Sequence, residues 1–462
     1  MIRNPFRYSR PVAPAAFVGR WPAVHRLAAD LTLDDGDSYA LIGGRRCGKS
    51  SFLAALAHTL GQPAGADTGD WRPLPLAIDC APLTITAPGE FLAHLLLALR
   101  RLVDRRLVRH TPHAWPPPVA LDAAWFTQLT ATPALSLQDF TDAVAYMLDQ
   151  LPTDLLPVRL ILLLDEVDQL IGHPWTEPLF DQLRSLVYSG PHSNRVRLVL
   201  AGSRRFIDEV SSTGSPLNNI LERHFLLTLP RPGFNDLIAR APDLPAAATE
   251  TVWQQSGGHP WLAQYLLHHT WRTLHEEAAT VPPADLVMAH ARKLQSEWAA
   301  VLEGWSQALE REGLRAYAAL ATAPDWLDES AITAAVADPH LNLKRGLVAL
   351  CYHGLAIHDG AWFRYRPTSA LWQSWFMHNC ARLLSTHTLP PSSPAVQVTV
   401  VTGNANTVQQ AAGNTISQAG ETATATDASH QTTIDQRGQT IQGNQTNVAG
   451  DLVQKGELNE SS

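Results

Sequence analysis

Five runs of mostly apolar residues punctuate the first half of the chain: residues 38–44 (SYALIGG), 74–80 (LPLAIDC), 159–166 (RLILLLDE), 195–203 (RVRLVLAGS) and 224–229 (HFLLTL). They are short and apolar at consecutive positions, the mark of strands covered on both faces. The stretches between them carry helical spacing, so the pattern predicts an α/β fold with a five-stranded, mostly parallel sheet. Residues 109–133, with WPPP inside, break the pattern and read as a surface insertion. From residue 233 to about 305 the spacing is helical throughout, and residues 309–380 then read helix, helix, helix, hairpin. The third helix lies near NLKRGLVALCYHGL (342–355), and the hairpin is AIHDGAWFRYR (356–366), turning at Asp359 and Gly360. That is the order of a winged helix.

The pattern changes again near THTLPPSSP (386–394), since all fourteen tryptophans lie before Phe376 and no aromatic residue, cysteine, methionine or proline follows Pro394. The remaining tail repeats weakly as NTVQQAAG, NTISQAG, TTIDQRG, QTIQGNQTNVAG and DLVQKG. Val408 and Ile416 are eight residues apart, whereas Ile434, Ile441 and Val448 are seven apart. Each unit holds a β-branched residue, a glutamine and a glycine bend, the ingredients of a short β-arch. One unit cannot bury its own apolar face; stacked copies would, with Asn and Gln ladders adding hydrogen bonds. The competing reading is a disordered polar tail, which the low hydrophobicity suits.

Composition narrows the classes. With 45% hydrophobic and 17% charged residues in 462, the chain has enough apolar material for several cores, and its longest apolar runs fall far short of a membrane span. The amino terminus, MIRNPFRYSRPV, leads into prolines instead of an apolar signal core, so the expectation is a cytoplasmic protein with no membrane partner. Cys47, Cys80, Cys351 and Cys380 form no CxxC pair, and His110 and His113 have no partner cluster, so neither disulfides nor a metal site made of these residues is indicated. A net charge of −8 argues against a protein that coats nucleic acid.

The chemistry is concentrated in LIGGRRCGKSSFL (41–53). Gly43, Gly48, Lys49 and Ser50 satisfy GxxxxGK[ST], a loop whose backbone N–H groups wrap phosphates while the lysine neutralises charge and the serine holds magnesium. At average residue usage the pattern arises by chance in about one or two chains per hundred of this length. Here it follows an apolar strand and opens the helix KSSFLAALAHTL, so the helix amino terminus points at the anion. Gly43, Gly44, Arg45, Arg46, Cys47, Gly48, Lys49, Ser50 and Ser51 are therefore candidate ATP-binding residues, with Arg45 and Arg46 expected exposed on the loop's outer side. The strand LILLLDEVD supplies the complement: Asp165 as a second Mg2+ holder with Ser50, and Glu166 to polarise the attacking water. Asp168 reads as a solvated or capping carboxylate. Ser203, ending the next strand, is either a γ-phosphate sensor or a turn cap.

These residues, together with NPFRYSRPVAPAAFVGRWPAVHRL, SPLNNILERHFLLTL and SGGHPWLAQYL, resemble the STAND-type and archaeal-ATPase branch of AAA+ P-loop NTPases, near the origin-recognition ATPases. The resemblance spans about residues 4–376. It implies that the FVGR segment, with Val18 and Gly19, lies against the adenine. It also implies that Arg223 can reach a neighbouring subunit's nucleotide, although an arginine bordering a strand is more often a surface charge. Pro260, in Gly258-His259-Pro260, stands in the lid where AAA+ motors usually carry a sensor arginine. The catalytic candidates are then Lys49, Glu166, Ser203 and Arg223, and the missing lid arginine favours holding ATP or ADP over rapid turnover: a slow ATPase.

The expected organisation is a P-loop domain of the ASCE/AAA+ type (1–232), a helical lid (233–305), a winged helix (306–383), a linker (384–397) and a polar repeat tail (398–462). Lys344, Arg345, Arg364 and Arg366 make the winged helix a DNA-binding candidate, but Trp362, Trp372, Trp375 and Phe376 suit packing against another domain. In STAND proteins the equivalent module clamps the nucleotide domain. TIQGN (440–444) is similar to the core of amyloid signalling motifs of the RHIM type, which implies self-association or recruitment of an effector protein. The resulting expectation is an ATP-controlled signalling switch, of a kind common in antiviral defence. The alternatives are an origin-recognition-like DNA-binding ATPase and a plain ATPase with an inert tail.

Overall fold

Helices α1 (Trp21–Asp30) and α2 (Lys49–Gly61) cover one face of a sheet built from β1 (Ser38–Ile42), β2 (Arg72–Asp79), β3 (Val158–Asp165), β4 (Val196–Gly202) and β5 (Leu221–Phe225). The strand order is β2-β3-β4-β1-β5 and every neighbouring pair is parallel. Alternate residues of β3 enter different cores: Ile161 and Leu163 pack with Phe52 and Leu56 of α2, whereas Leu160, Leu162 and Leu164 pack with α3 (Pro88–His110) and α4 (Leu137–Asp149). Unbroken apolar runs are what a strand buried on both faces requires. The computed structural model describes residues 4–62, 70–110, 135–149, 151, 157–190, 192–276, 281–360 and 363–386, together with five strands between Gln397 and Ile441. Of the surface insertion expected at 109–133, residues 109 and 110 end α3 and the rest, like Trp362, lies outside the described residues.

The fifth strand is displaced from its expected place. The run at 224–229 is apolar, yet β5 covers Leu221–Phe225, pairing Ser38 with Leu221 and Ile42 with Phe225. It is an edge strand whose one strand neighbour among the described residues is β1. Once β1 gives way to the loop after Ile42, Leu226 keeps one bond, to the Ile42 carbonyl, and the ladder ends.

Helices α5 (Thr176–Arg184) and α6 (Arg204–Ser211) follow β3 and β4, and beyond β5 come α7 (Arg231–Ile238), α8 (Ala246–Ser256), α9 (Pro260–His275), α10 (Pro283–Glu297) and α11 (Ala299–Thr322). Helix α11 is broken at Glu310, which takes φ 53° and ψ −170°. The remainder is β6 (Leu327–Asp328), α12 (Glu329–Val336), α13 (Leu343–Tyr352), β7 (Ala356–His358), β8 (Arg364–Pro367) and α14 (Ala370–Thr386). Asp328 and Asn342 cap α12 and α13 by accepting from Ala331 and Arg345 N–H. The three short strands form an antiparallel sheet, β6-β8-β7. The β7–β8 connection is wider than a two-residue turn at Asp359 and Gly360, since Asp359 N–H donates to the Arg364 carbonyl and the ladder pairs His358 with Tyr365. Gly346 lets α13 lie on α11: a Cβ there would come 2.6 Å from the Glu312 carbonyl carbon. Trp372, Trp375 and Phe376 of α14 are buried, as their type suggests.

All of this lies in one unit, Met1–Thr386; a second unit covers His387–Ser462. In the second, β9 (Gln397–Thr402), β10 (Thr407–Ala412), β11 (Thr422–Thr426), β12 (Gln431–Asp435) and β13 (Thr440–Ile441) form an antiparallel sheet in the order β10-β9-β11-β12-β13. Ile434 and Ile441 are register partners across β12 and β13. Of the repeat units, TTIDQRG and QTIQGN pair with each other through β12 and β13, and NTVQQAAG pairs through β10 with β9, which lies outside the repeat.

Candidate functional site

The loop from Gly43 to Gly48 leaves the carboxyl end of β1 and delivers the chain into the amino terminus of α2. Gly48 sits at the helix cap with φ 92°, and Arg46 also has a positive φ, 65°. Lys49 is buried, and its Nζ donates to the Gly43 and Gly44 carbonyls at 3.0 and 3.1 Å, folded back across the loop. Beside it lies a cleft of about 440 Å³ whose walls include Arg7, Arg10, Val12, Phe17, Val18 and Arg20, then Arg45, Arg46 and residues 48–51, then Glu166, and finally Pro260, Trp261 and Gln264. Six of the lining residues are arginine or lysine and one is a carboxylate, Glu166.

The structure thus brings Val18, Arg45, Arg46, Gly48, Lys49, Ser50, Ser51, Glu166 and Pro260 to one cleft. Arg45 and Arg46 are exposed, as expected, and the Arg46 guanidinium also lies over Trp261, 4.5 Å from the ring centroid. Gly19 acts behind the wall: its φ is 76° and a Cβ would come 2.8 Å from the Gly233 Cα, so glycine permits the FVGR turn to touch α7. Asp165 ends β3 in register with Asp79 of β2 and accepts from Glu166 N–H at 3.0 Å. Glu166 is left-handed, φ 55°. Burial raises its carboxyl above the ordinary value while Lys49 pulls the other way. Asp168 is a capping residue: it accepts from the Ser203 and Phe206 N–H groups at 2.6 and 3.1 Å, fastening α6 to the end of β3. Ser203 precedes α6 without a side-chain capping bond, outside the cleft lining. Arg223 is turned away from the cleft, donating to the Val210 carbonyl and Asn218 Oδ1 at 2.7 and 2.9 Å.

Sequence reasoning missed two features. The amino-terminal segment folds back over the site: Val12 N–H donates to Ser51 Oγ, Arg7 N–H donates to Gln264 Oε1, and Arg20 donates to the Cys47 carbonyl at 2.7 Å. Nothing periodic in RYSRPV announces this. The second is the back of the loop, where Gly44 N–H donates to the Tyr352 carbonyl at 2.8 Å and Cys47 Sγ stands 3.7 Å from the His259 Nε2 and from the Tyr352 and His353 carbonyls. The end of α13 therefore rests directly on the phosphate loop.

Both histidines of that contact are held neutral. Burial, with Arg20 and Arg46 near one ring and Lys49, Arg204 and Arg45 near the other, pushes His259 and His353 down to about 3. Histidines of the unfolded chain titrate near 6.5, so this contribution to stability is intact above that pH. It is lost as the pH falls from about 6.5 toward 3, by about 1.4 kcal/mol per unit for each ring. The thermal midpoint of the wild type should therefore drop more steeply between pH 7 and pH 5 than that of His353→Gln. Parallel slopes would show that the ring is not neutral in the fold.

The donor set suits a nucleoside triphosphate with Mg2+: a loop opening a helix, a cleft dominated by cations, an apolar wall from Val12, Phe17 and Val18, and Ser50 with an acidic strand end at Asp165. Residues 33–210 match the family profile described as AAA domain. The fold is similar to a Walker-type ATPase of Pyrococcus abyssi, with TM-score 0.53 and 16% identity over 80% of this chain and 99% of that one. Weaker likenesses are to the ORC1 protein of Aeropyrum pernix, solved in complex with DNA (TM-score 0.36, 13% identity, 81% of this chain and 96% of that one), and to the RuvB Holliday junction branch migration motor of Thermotoga maritima (0.37, 14%, 83% and 100%). No curated protein matches the sequence. No helix among the described residues is long and apolar enough to cross a membrane. Residues 33–210 thus resemble an AAA domain, and the fold around them is that of a P-loop ATPase.

Proposed function

We propose that this chain is an ATP-controlled signalling switch in which the module from Glu310 to Thr386, read as a winged helix of the STAND type, clamps the phosphate loop. One observation carries the reading: the Gly44 N–H, part of the loop that would hold phosphate, donates to the Tyr352 carbonyl at the end of α13. The contact is reinforced nearby. Arg204 of α6 pairs with Glu310 at the break in α11 (2.8 Å), and Arg345 of α13 pairs with Asp208 of α6 (3.0 Å).

In this reading Lys49 and the loop amides hold the phosphates, Ser50 and Asp165 hold Mg2+, and Glu166 orients the attacking water. Bound Mg2+ supplies neutralisation of phosphate charge. Pro260, in place of a cation, leaves the lid without a charge of its own on the γ-phosphate, which suits slow ATP hydrolysis and long-lived ATP or ADP states. Release of α13 exposes the loop's back and frees the chain to self-associate. The repeat unit contributes a sheet whose outer strands, β10 and β13, have one strand neighbour each among the described residues, the geometry that accepts a strand from another copy or an effector. Antiviral defence as the setting rests on the family resemblance alone.

The DNA-binding alternative fares less well at the residues it needs. Arg345 is paired with Asp208, Arg364 pairs with Asp359 at 2.8 Å, and Arg366 lies over Trp326 at 4.6 Å. With Lys344 and Arg366 left to meet phosphates, duplex affinity should be weak, indifferent to sequence, and fall with salt at a log–log slope of about −2. Titration of duplex binding against salt checks this. Tight, sequence-dependent binding abolished by Arg364→Ala with Arg366→Ala would replace the clamp with a DNA reader.

A further inference from the structure

Arg46 occupies the left-handed backbone region, with φ 65°. For a residue with a Cβ this conformation costs about 1 kcal/mol and persists where the surroundings over-determine it. The surroundings here are two tryptophans of the lid: the guanidinium carbon lies 4.5 Å from the Trp261 ring centroid and 5.3 Å from that of Trp298. Trp261 follows Pro260 at the start of α9, Trp298 caps α11, and the rings meet edge to face at 5.4 Å. Trp261 is 4% exposed, so the platform is anchored in the core.

A guanidinium lying over a ring keeps N–H groups available away from it, and that planar fork matches phosphate oxygens. Arg46 lines the same cleft as Lys49, Ser50 and Glu166. From the lid the cleft is lined by Leu237, Pro260, Trp261 and Gln264, none of which is a cation. We propose that Arg46 is a phosphate-binding residue supplied by the loop and held by the lid, so that nucleotide phosphates, Arg46 and the Trp261–Trp298 pair form one continuous stack joining loop to lid. This rests on the nucleotide reading above. Its content is distinct: the lid senses the nucleotide through a side chain it does not itself carry.

The test uses the full chain with Arg46→Gly, which removes the guanidinium and relaxes the left-handed backbone, and Arg46→Lys, which keeps the charge and loses the planar stack. ATP affinity is measured by titration, and hydrogen exchange is followed at the starts of α9 and α11 with saturating ATP. Wild type should bind ATP and slow exchange at both places. Arg46→Gly should bind about tenfold or more weakly and show no slowing even when saturated; Arg46→Lys should keep most of the affinity and also lose the slowing. Wild-type affinity in Arg46→Gly, or full lid protection in either saturated variant, would overturn the proposal. A folded wild type that binds no ATP or ADP would instead overturn the nucleotide reading beneath it.

Discussion

Lys49→Ala and Glu166→Gln should move this protein in opposite directions. Lys49 is the buried cation of the loop, its Nζ 3.0 Å from the Gly43 carbonyl. Removing it deletes a charge-assisted contact to phosphate, and ATP affinity should fall about 100-fold. A switch that cannot retain ATP stays clamped and inactive. Glu166→Gln keeps the volume in the cleft wall but loses the carboxylate that activates water, slowing hydrolysis about 10²- to 10⁴-fold. If ATP is the state that releases the clamp, the variant is held there, and its assembled fraction should exceed that of wild type with little stimulus. Size-exclusion chromatography with ATP reports both. Deleting residues 397–462 from Glu166→Gln should abolish the assembly if the repeat unit drives it. Matching loss of output in both variants, with brisk turnover by the wild type, would make the site a motor.

Gly44→Ala should open the clamp without ATP. The φ of Gly44 is one any residue accepts, so the loop itself tolerates alanine, but the new Cβ would fall 2.5 Å from His353 Nδ1 and 2.7 Å from His353 Cα. A ring can rotate; the Cα belongs to the backbone at the end of α13. Overpacking of this kind costs about 1–3 kcal/mol, which raises the open population by about 5- to 150-fold. Amide exchange in α13 should speed up accordingly. The paired charges give a milder companion: Arg345→Ala breaks the tie to Asp208 and should loosen α13 less, because that pair is half exposed. Unchanged protection of α13 in Gly44→Ala would sink the clamp.

Much of the site was legible because its signals are local. The strand–loop–helix around Lys49 is written within a dozen residues, α2 ends at Gly61 where the apolar spacing stops, and Asp165 and Glu166 close an apolar run that could only be an inner strand. Spacing and side-chain type determine such elements, since backbone geometry repeats every two or 3.6 residues. The helix, helix, helix, hairpin order was readable from spacing as well, although the short β6 between α11 and α12 was not expected.

What the tertiary structure alone decided is where distant pieces meet. Apolarity marked 224–229 as a strand, but β5 ends at Phe225 because a ladder extends only as far as its partner β1. Arg46 is the exposed charge its sequence suggested, but only the fold places Trp261 beneath it. Arg345 was one of four cations behind the less favoured DNA-binding alternative, and only the fold shows its pairing with Asp208, far away in sequence. The bond from Gly44 to Tyr352, on which the proposed function turns, joins a loop legible from its own letters to a helix end whose residues carry no mark of their destination. Local preferences specify the elements; the docking of α13 on the loop depends on the shapes of two finished surfaces, which no short window of sequence contains.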